Sequence, residues 1–314
     1  MKFATLRTIT AAIAAGNLAA ASSAIDAALV QETADRLAAH QEDCAKLRKL
    51  ARKSGKRAKL PAFIPEADWH ASLRKLQATL SDGLPRFAIF AADGNGKLPF
   101  VAFSSLPGLG FCPGAGLCLD FCYSFRAWRY PAAFARQAQN AVLLQTAQGR
   151  TAILQALDAF RPDDGSALDF RLYVDGDFGS VAHVRFWMTA LIARPWLRAY
   201  GYSKSWLELL AYSDGGEPWP ANYLLNLSSG SLHDTATKSR ASALPISRGE
   251  FIAVPVGYKV TSDMHGSRDH QARLREAYGD KAFTCPGKCG DCTPKGHACG
   301  SARFRGVPVI IAVH

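Results

Sequence analysis

From about residue 168 onward the chain alternates between short β-rich apolar runs and amphipathic stretches, and this alternation limits its fold more than any other feature. Strands are expected at Leu168–Val174, Leu197–Tyr202, Asn222–Leu227 and Phe251–Val256. Helices are expected at Val181–Ala193, from Trp206, and at Arg268–Tyr278, with a last strand at Val307–Val313. Strands separated by helices pair in parallel, because the helix returns the chain to the same end of the sheet before the next strand begins. The implied fold is α/β, a partial or complete (β/α) barrel. With 314 residues, 48% of them hydrophobic, the chain can bury a core without covalent staples.

Upstream, Glu66–Leu80 places Trp69, Leu73, Leu76 and Leu80 on one helical face. Arg86–Ala91 and Leu98–Ser104 read as a hairpin around Asp93-Gly94-Asn95-Gly96, and Arg126–Gln148 as a helix. The organisation expected is an N-terminal helix and basic linker (1–60), an α/β core (61–280) and a cysteine-rich C-terminal segment with the last strand (281–314).

In such folds, function gathers at the C-terminal strand ends. Here those ends read Asp175-Gly176-Asp177, Ser203-Lys204-Ser205, Asn226 to Ser229 and Gly257-Tyr258-Lys259. Turn chemistry alone also favours Ser, Asp and Gly, and Ser205 is placed to cap the helix that follows.

Seven of the eight cysteines fall in two tight groups, Cys112, Cys118 and Cys122, then Cys285, Cys289, Cys292 and Cys299. Both groups sit in Gly/Pro-rich loops, whose backbone lets several sulfurs turn toward one point. Thiolates at such spacings suit zinc or iron–sulfur iron. Three thiolates leave a four-coordinate metal one open position, whereas four close it. The first group is therefore expected to be open and reactive, and the second closed and structural. Disulfide pairing is the alternative for an even number of cysteines in a secreted chain. Cys44 stands apart as a bystander. His297 is either a substitute ligand or a loop surface residue, and His265 and His270 lie in a polar turn.

The charge is unbalanced, with 37 Lys+Arg against 26 Asp+Glu, a net +11 and a pI near 9.4. Lys46–Lys59 holds eight basic residues and no acid. That run is either a nucleic-acid contact or a solvated helix end. The first 24 residues imitate a signal peptide, but Gly16 and Asn17 interrupt the apolar stretch and helical periodicity continues beyond it. The expectation is a cytoplasmic protein, with secretion as the alternative. No run of 18 apolar residues occurs, so no membrane span is expected.

The piece Cys118-Leu119-Asp120-Phe121-Cys122-Tyr123, after a strand and before a helix, resembles the cluster loop of radical S-adenosylmethionine (SAM) enzymes. That resemblance implies a [4Fe–4S] cluster on Cys112, Cys118 and Cys122, with Phe121 in the place of the aromatic residue before the last cysteine. It also implies SAM at the open iron, with Asp175-Gly176-Asp177 standing where its amino group is received; Asp177 and Lys204, at strand ends, are the candidate catalytic residues and Asp175 and Gly176 the cofactor-binding ones. The family spacing is Cys-x3-Cys-x2-Cys, whereas this loop is Cys-x5-Cys-x3-Cys. The family spacing occurs instead at Cys285, Cys289 and Cys292, which implies a second cluster or a zinc site there.

A closer likeness is to an uncharacterised family known from mycobacteriophages as gene product 88. It is similar in the CPGAGLC…CY loop, in Arg171–Phe178, in Tyr202–Ser205 and in the Cys285–Cys292 ending. This likeness implies a phage, plasmid or other mobile-element origin and no mechanism. The expected function is a radical-SAM-like enzyme on an unidentified substrate. The alternative is a zinc-stabilised nucleic-acid-binding protein without catalysis.

Overall fold

The computed structural model describes residues 1–54, 57–64, 68–92, 98–108, 110–261, 264–290, 292–293 and 296–313. Two helices open the chain, α1 (Phe3–Ala14) and α2 (Leu18–Lys53). Sequence periodicity suggested one long helix, but Gly16 takes a left-handed φ of +69°. Asn17 then caps α2, its side chain accepting from Ala20 N at 2.9 Å. The interruption that argued against a signal peptide is thus a reversal between two helices that pack on each other. Lys46–Lys53 belong to the last turns of α2, while Gly55 and Lys56 lie outside the described residues.

α3 (Asp68–Asp82) and α4 (Pro131–Gln145) join this pair in one apolar core built on Leu6, Ile9, Ile25, Leu73, Leu76 and Phe134. Glu66, the expected start of α3, lies outside the described residues. The single helix expected over Arg126–Gln148 is three pieces: a 3-10 helix at Tyr123–Arg129, α4, and α5 (Ala147–Asp158). Pro131 supplies the first break, since its ring cannot follow a continuous helix. Thr146 supplies the second, being extended at φ −114° and ψ 149° while its hydroxyl caps Gly149 N.

β1 (Phe90–Ala91) and β2 (Val101–Phe103) pair antiparallel, Phe90 opposite Phe103, as a hairpin requires. Its expected turn, Asp93 to Gly96, lies outside the described residues. The other strands are β3 (Leu168–Leu172), β4 (Leu197–Ser203), β5 (Tyr223–Ser228), β6 (Ser247–Val254), β7 (Phe283–Thr284) and β8 (Val309–Ala312). They form one eight-stranded sheet in the order β1-β2-β3-β4-β5-β6-β8-β7, parallel from β2 onward. Among the described residues the sheet is open, with β1 and β7 as its edges and no pairing between them. A complete barrel is therefore not what these residues form.

One sheet face carries Phe103, Phe170, Leu172, Ala199, Tyr223 and Leu225, packed against Leu157 of α5, Trp187 of α6 (Val181–Ile192) and Leu209 of α7 (Trp206–Asp214). The alternation of side chains along each strand sends Arg171, Tyr200, Tyr202 and Leu224 to the other face. That face is covered by the cysteine-rich segment, with Tyr200, Leu224 and Val309 packed against Ala298, Cys299, Cys285 and Cys292. α8 (Thr235–Ser242), which periodicity does not reveal, is capped by Asp234. α9 (Arg268–Tyr278) has the bounds expected from sequence.

Candidate functional site

The first cysteine loop follows β2 and is laced onto the C-terminal ends of its neighbours. Gly230 O, just beyond β5, accepts from Gly116 N at 3.0 Å and from Cys118 N at 3.4 Å, and Leu232 N donates to Gly114 O at 3.1 Å. Glycine is required at this seam. A Cβ on Gly114 would lie 1.6 Å from Lys204 O, and one on Gly230 would lie 3.1 Å from Cys118.

The segment after β3 approaches the loop from the side. Tyr173, just after β3, has a positive φ of 57° and is the one described non-glycine residue to do so. Gly176 follows at φ +79°, and a Cβ there would meet Leu106 O at 2.8 Å. Asp177 is buried and saturated: Oδ1 accepts from Phe178 N at 2.8 Å and from Ser203 Oγ at 2.7 Å, and Oδ2 accepts from Lys204 N at 2.7 Å. It therefore ties the end of β3 to the end of β4. Burial raises its pKa, and these hydrogen bonds and the Lys204 charge oppose the rise.

The thiols of Cys112 and Cys118 both feel the Cys122 thiol, the Asp177 carboxylate and the Lys204 ammonium, so these five side chains share one neighbourhood. Burial pushes both thiols up, and Lys204 pulls them back. Asp175, whose pKa burial also raises, is surrounded by Ser124, Ser104, Arg171 and Gln137. Phe121 is 40% exposed at the rim of the loop.

The second group gathers on the covered sheet face. The Cys285 thiol feels those of Cys299, Cys289 and Cys292, and burial raises it to about 12. Cys299 is raised to about 11 by burial, against the pull of Tyr202 and Arg248. Cys299 thus lies with the other three. Asn226 holds it there, donating from Nδ2 to Cys299 O and to Gly201 O, both at 3.0 Å. Asn226 is fixed in turn by Arg248, which is 1% exposed. Arg248 Nε donates to Asn226 Oδ1 at 2.6 Å, and its remaining nitrogens reach Phe304 O, Val307 O and Glu250 O.

Arg171 lies among Tyr202, Tyr123, Tyr200 and Cys289, with its guanidinium 4.8 Å from the Tyr202 ring centroid. His297, expected at the surface or as a ligand, is buried. Its Nδ1 accepts from Gly300 N at 3.1 Å, and its ring packs 4.5 Å from that of Tyr200. His265 and His270 are buried against each other rather than displayed in a turn, with centroids 5.4 Å apart.

Ser205 does not cap α7 with its side chain, contrary to expectation. Its hydroxyl is buried without a hydrogen-bond partner, and so are Glu208 Oε2 and His233 Nε2. Glu208 feels both Asp177 and His233, and a Cβ on Gly114 would lie 2.9 Å from His233 Nε2. These polar atoms border the first loop, and nothing in its local sequence marked Glu208.

Whether the thiols suit a metal is tested by what surrounds the sulfurs. Backbone N–H groups point at three of them: Gly108 N to Cys112 at 3.3 Å, Gly287 N to Cys285 at 3.4 Å and Ala298 N to Cys292 at 3.4 Å. Such donors favour thiolate over thiol. None of the eight cysteines is in a disulfide. Among the described residues, no group of three or more His, Cys, Asp or Glu side chains is arranged to hold a metal ion. Among the same residues no helix is long and apolar enough to cross a membrane.

No curated protein and no solved structure matches the chain. A family profile described as Gene product 88 matches residues 71–307, which include both cysteine groups, β1 to β7, most of α3 and all of α4 to α9. The chain belongs to the Gene product 88 family.

Proposed function

We propose that this protein is a cytoplasmic iron–sulfur enzyme of the radical-SAM type, acting on a substrate that the chain itself does not identify. One observation carries the reading: Cys112, Cys118 and Cys122 share a neighbourhood with Asp177 and Lys204 at the C-terminal ends of parallel strands. The sequential order of the parallel strands β2 to β6 supports a reading in which chemistry sits at their C-terminal ends.

Cys112, Cys118 and Cys122 would hold the cluster, and three protein ligands leave one iron free. With SAM bound, such a cluster supplies one-electron chemistry. The protein's own contribution is positional. Asp175 and Gly176 would receive the SAM amino group, Phe121 would flank the cluster, and Lys204 places a positive charge beside Cys112 and Cys118. Asp177 fixes the Lys204 backbone by accepting from its N–H, and so acts through Lys204 rather than on substrate. Cys285, Cys289, Cys292 and Cys299 would form the second, closed site, holding a cluster or zinc and pinning the C-terminal segment to the sheet. Exposed basic residues at the end of α2, within Lys46–Lys59, would contact nucleic acid.

The test is reductive cleavage of SAM by anaerobically reconstituted protein. Formation of 5′-deoxyadenosine that is lost in Cys118→Ser supports the reading. A colourless protein carrying only zinc would favour the non-catalytic nucleic-acid-binding alternative.

A further inference from the structure

Two arginines border the second cysteine group, and among the described residues neither forms an ion pair. Arg248, buried beside Cys299, directs its nitrogens to uncharged acceptors, Asn226 Oδ1 and the carbonyls of Phe304, Val307 and Glu250. Arg171 lies beside Cys289, its guanidinium 4.8 Å from the Tyr202 ring centroid and its Nε buried without a hydrogen-bond partner. Asp175 feels the Arg171 charge as well, but burial raises its pKa and its hydrogen-bonding partners are Ser124, Ser104 and Gln137. Donors converge on the same sulfurs. Gly287 N points at Cys285 and Ala298 N at Cys292, both at 3.4 Å. The Tyr200 hydroxyl, wholly buried and without a partner, has the Cys289 thiol as its neighbour. Tyr202 and Arg248 both favour the thiolate form of Cys299. Each of the four sulfurs therefore has a donor or a cation of its own.

We propose that Arg171 and Arg248 are the counter-charges of a doubly negative tetrathiolate centre on Cys285, Cys289, Cys292 and Cys299, and that Tyr200 and Arg171 complete their contacts when Cys289 is a metal-bound thiolate. The inference rests on the closed second site proposed above and adds what balances its charge. Four thiolates around a divalent ion carry the same net charge as four thiolates around an oxidised [4Fe–4S] core, so the two arginines suit either. Four neutral thiols, or two disulfides, would leave both cations desolvated and uncompensated, which is costly. Groups that touch the ligands rather than the metal orient them and set how tightly the metal is held. Arg171 is accordingly a positioning residue, acting through Cys289.

The test is metal binding by the full chain carrying Cys118→Ser, which leaves the first group incomplete. Zinc affinity is read by competition with a chelator, and cadmium–thiolate absorption reports ligation by sulfur. Adding Arg171→Met should weaken zinc by roughly tenfold or more. Arg171→Lys, which restores the charge, should recover most of that loss, whereas a role in packing alone would make the lysine and methionine variants alike. Tyr200→Phe, which keeps the ring and removes the hydroxyl, should weaken zinc by roughly threefold. The proposal is overturned, with the closed site left standing, if Arg171→Met is folded by circular dichroism and binds zinc as tightly as its parent. Absence of cadmium–thiolate absorption in the parent overturns the closed site and this inference with it. Inorganic phosphate that binds the zinc-free parent but not Arg171→Met would assign the arginine to a soluble anion and overturn the proposal equally.

Discussion

The carbonyl oxygen of Lys204 lies 1.6 Å from where a Cβ on Gly114 would stand. No side-chain rotamer can relieve that overlap, because the backbone fixes where the Cβ stands and the carbonyl is itself backbone. Gly114→Ala must therefore lift the first cysteine loop off the end of β4 or push Lys204 away from Asp177. Overpacking of this kind costs about 1–3 kcal/mol. The expected outcome is a lower melting temperature together with reduced metal content at the first group. Wild-type stability and metal content in Gly114→Ala would show that the loop does not dock on Lys204.

Arg248 makes the second prediction. Its guanidinium satisfies Asn226 Oδ1 and the carbonyls of Phe304, Val307 and Glu250 from a site that is 1% exposed. Arg248→Met keeps much of the volume but strands these acceptors, at about 1–3 kcal/mol for each one left dry. Limited proteolysis should then cut the C-terminal segment faster, since Asn226 no longer holds Cys299 firmly. An unchanged cleavage rate would mean that the segment is anchored by its apolar contacts alone.

His183 gives a pH signature unconnected with the thiols. Burial, reinforced by the Arg150 charge, lowers its pKa from 6.5 to about 4. The unfolded chain takes up this proton near 6.5 and the folded chain only near 4. The stability that goes with a neutral His183 is therefore complete above about 6.5 and is lost as pH falls toward 4. The upper bound on that loss is about 3 kcal/mol. Chemical denaturation of His183→Gln should depend less on pH across that window than wild type does. Parallel curves for the two proteins would remove His183 from the acid response.

Much of the fold was legible because local signals agreed with tertiary ones. α9 has a serine N-cap at Ser267, an apolar anchor at Leu274 and Gly279 at its end, and its bounds matched. β5 is buried along its whole length and reads as a β-rich run, Tyr223-Leu224-Leu225-Asn226-Leu227-Ser228, that few other elements could use. What stayed hidden depends on contacts distant in sequence. β7 is two residues long and is defined only by its partner β8. α8 is polar and exposed, with only Ala241 buried, so no apolar stripe marks it. The candidate site divided in the same way. Asp177 and Lys204 stood out at strand ends, but Asp177's saturation by Ser203, Lys204 and Phe178 could not be read from position. The pairing of Arg248 with Asn226, 22 residues away, had no sequence signal at all.

The central claim is that the two cysteine groups hold metal in different ways, and metal analysis of anaerobically purified protein tests it most directly. Iron, zinc and acid-labile sulfide should be measured in wild type, Cys118→Ser and Cys289→Ser, with a thermal melt of each. The account predicts iron and sulfide in wild type, lost in part in Cys118→Ser with the fold retained. In Cys289→Ser, metal content and melting temperature should fall together, because a closed site contributes folding energy. Wild-type protein without iron, or both variants with undiminished metal, would contradict it.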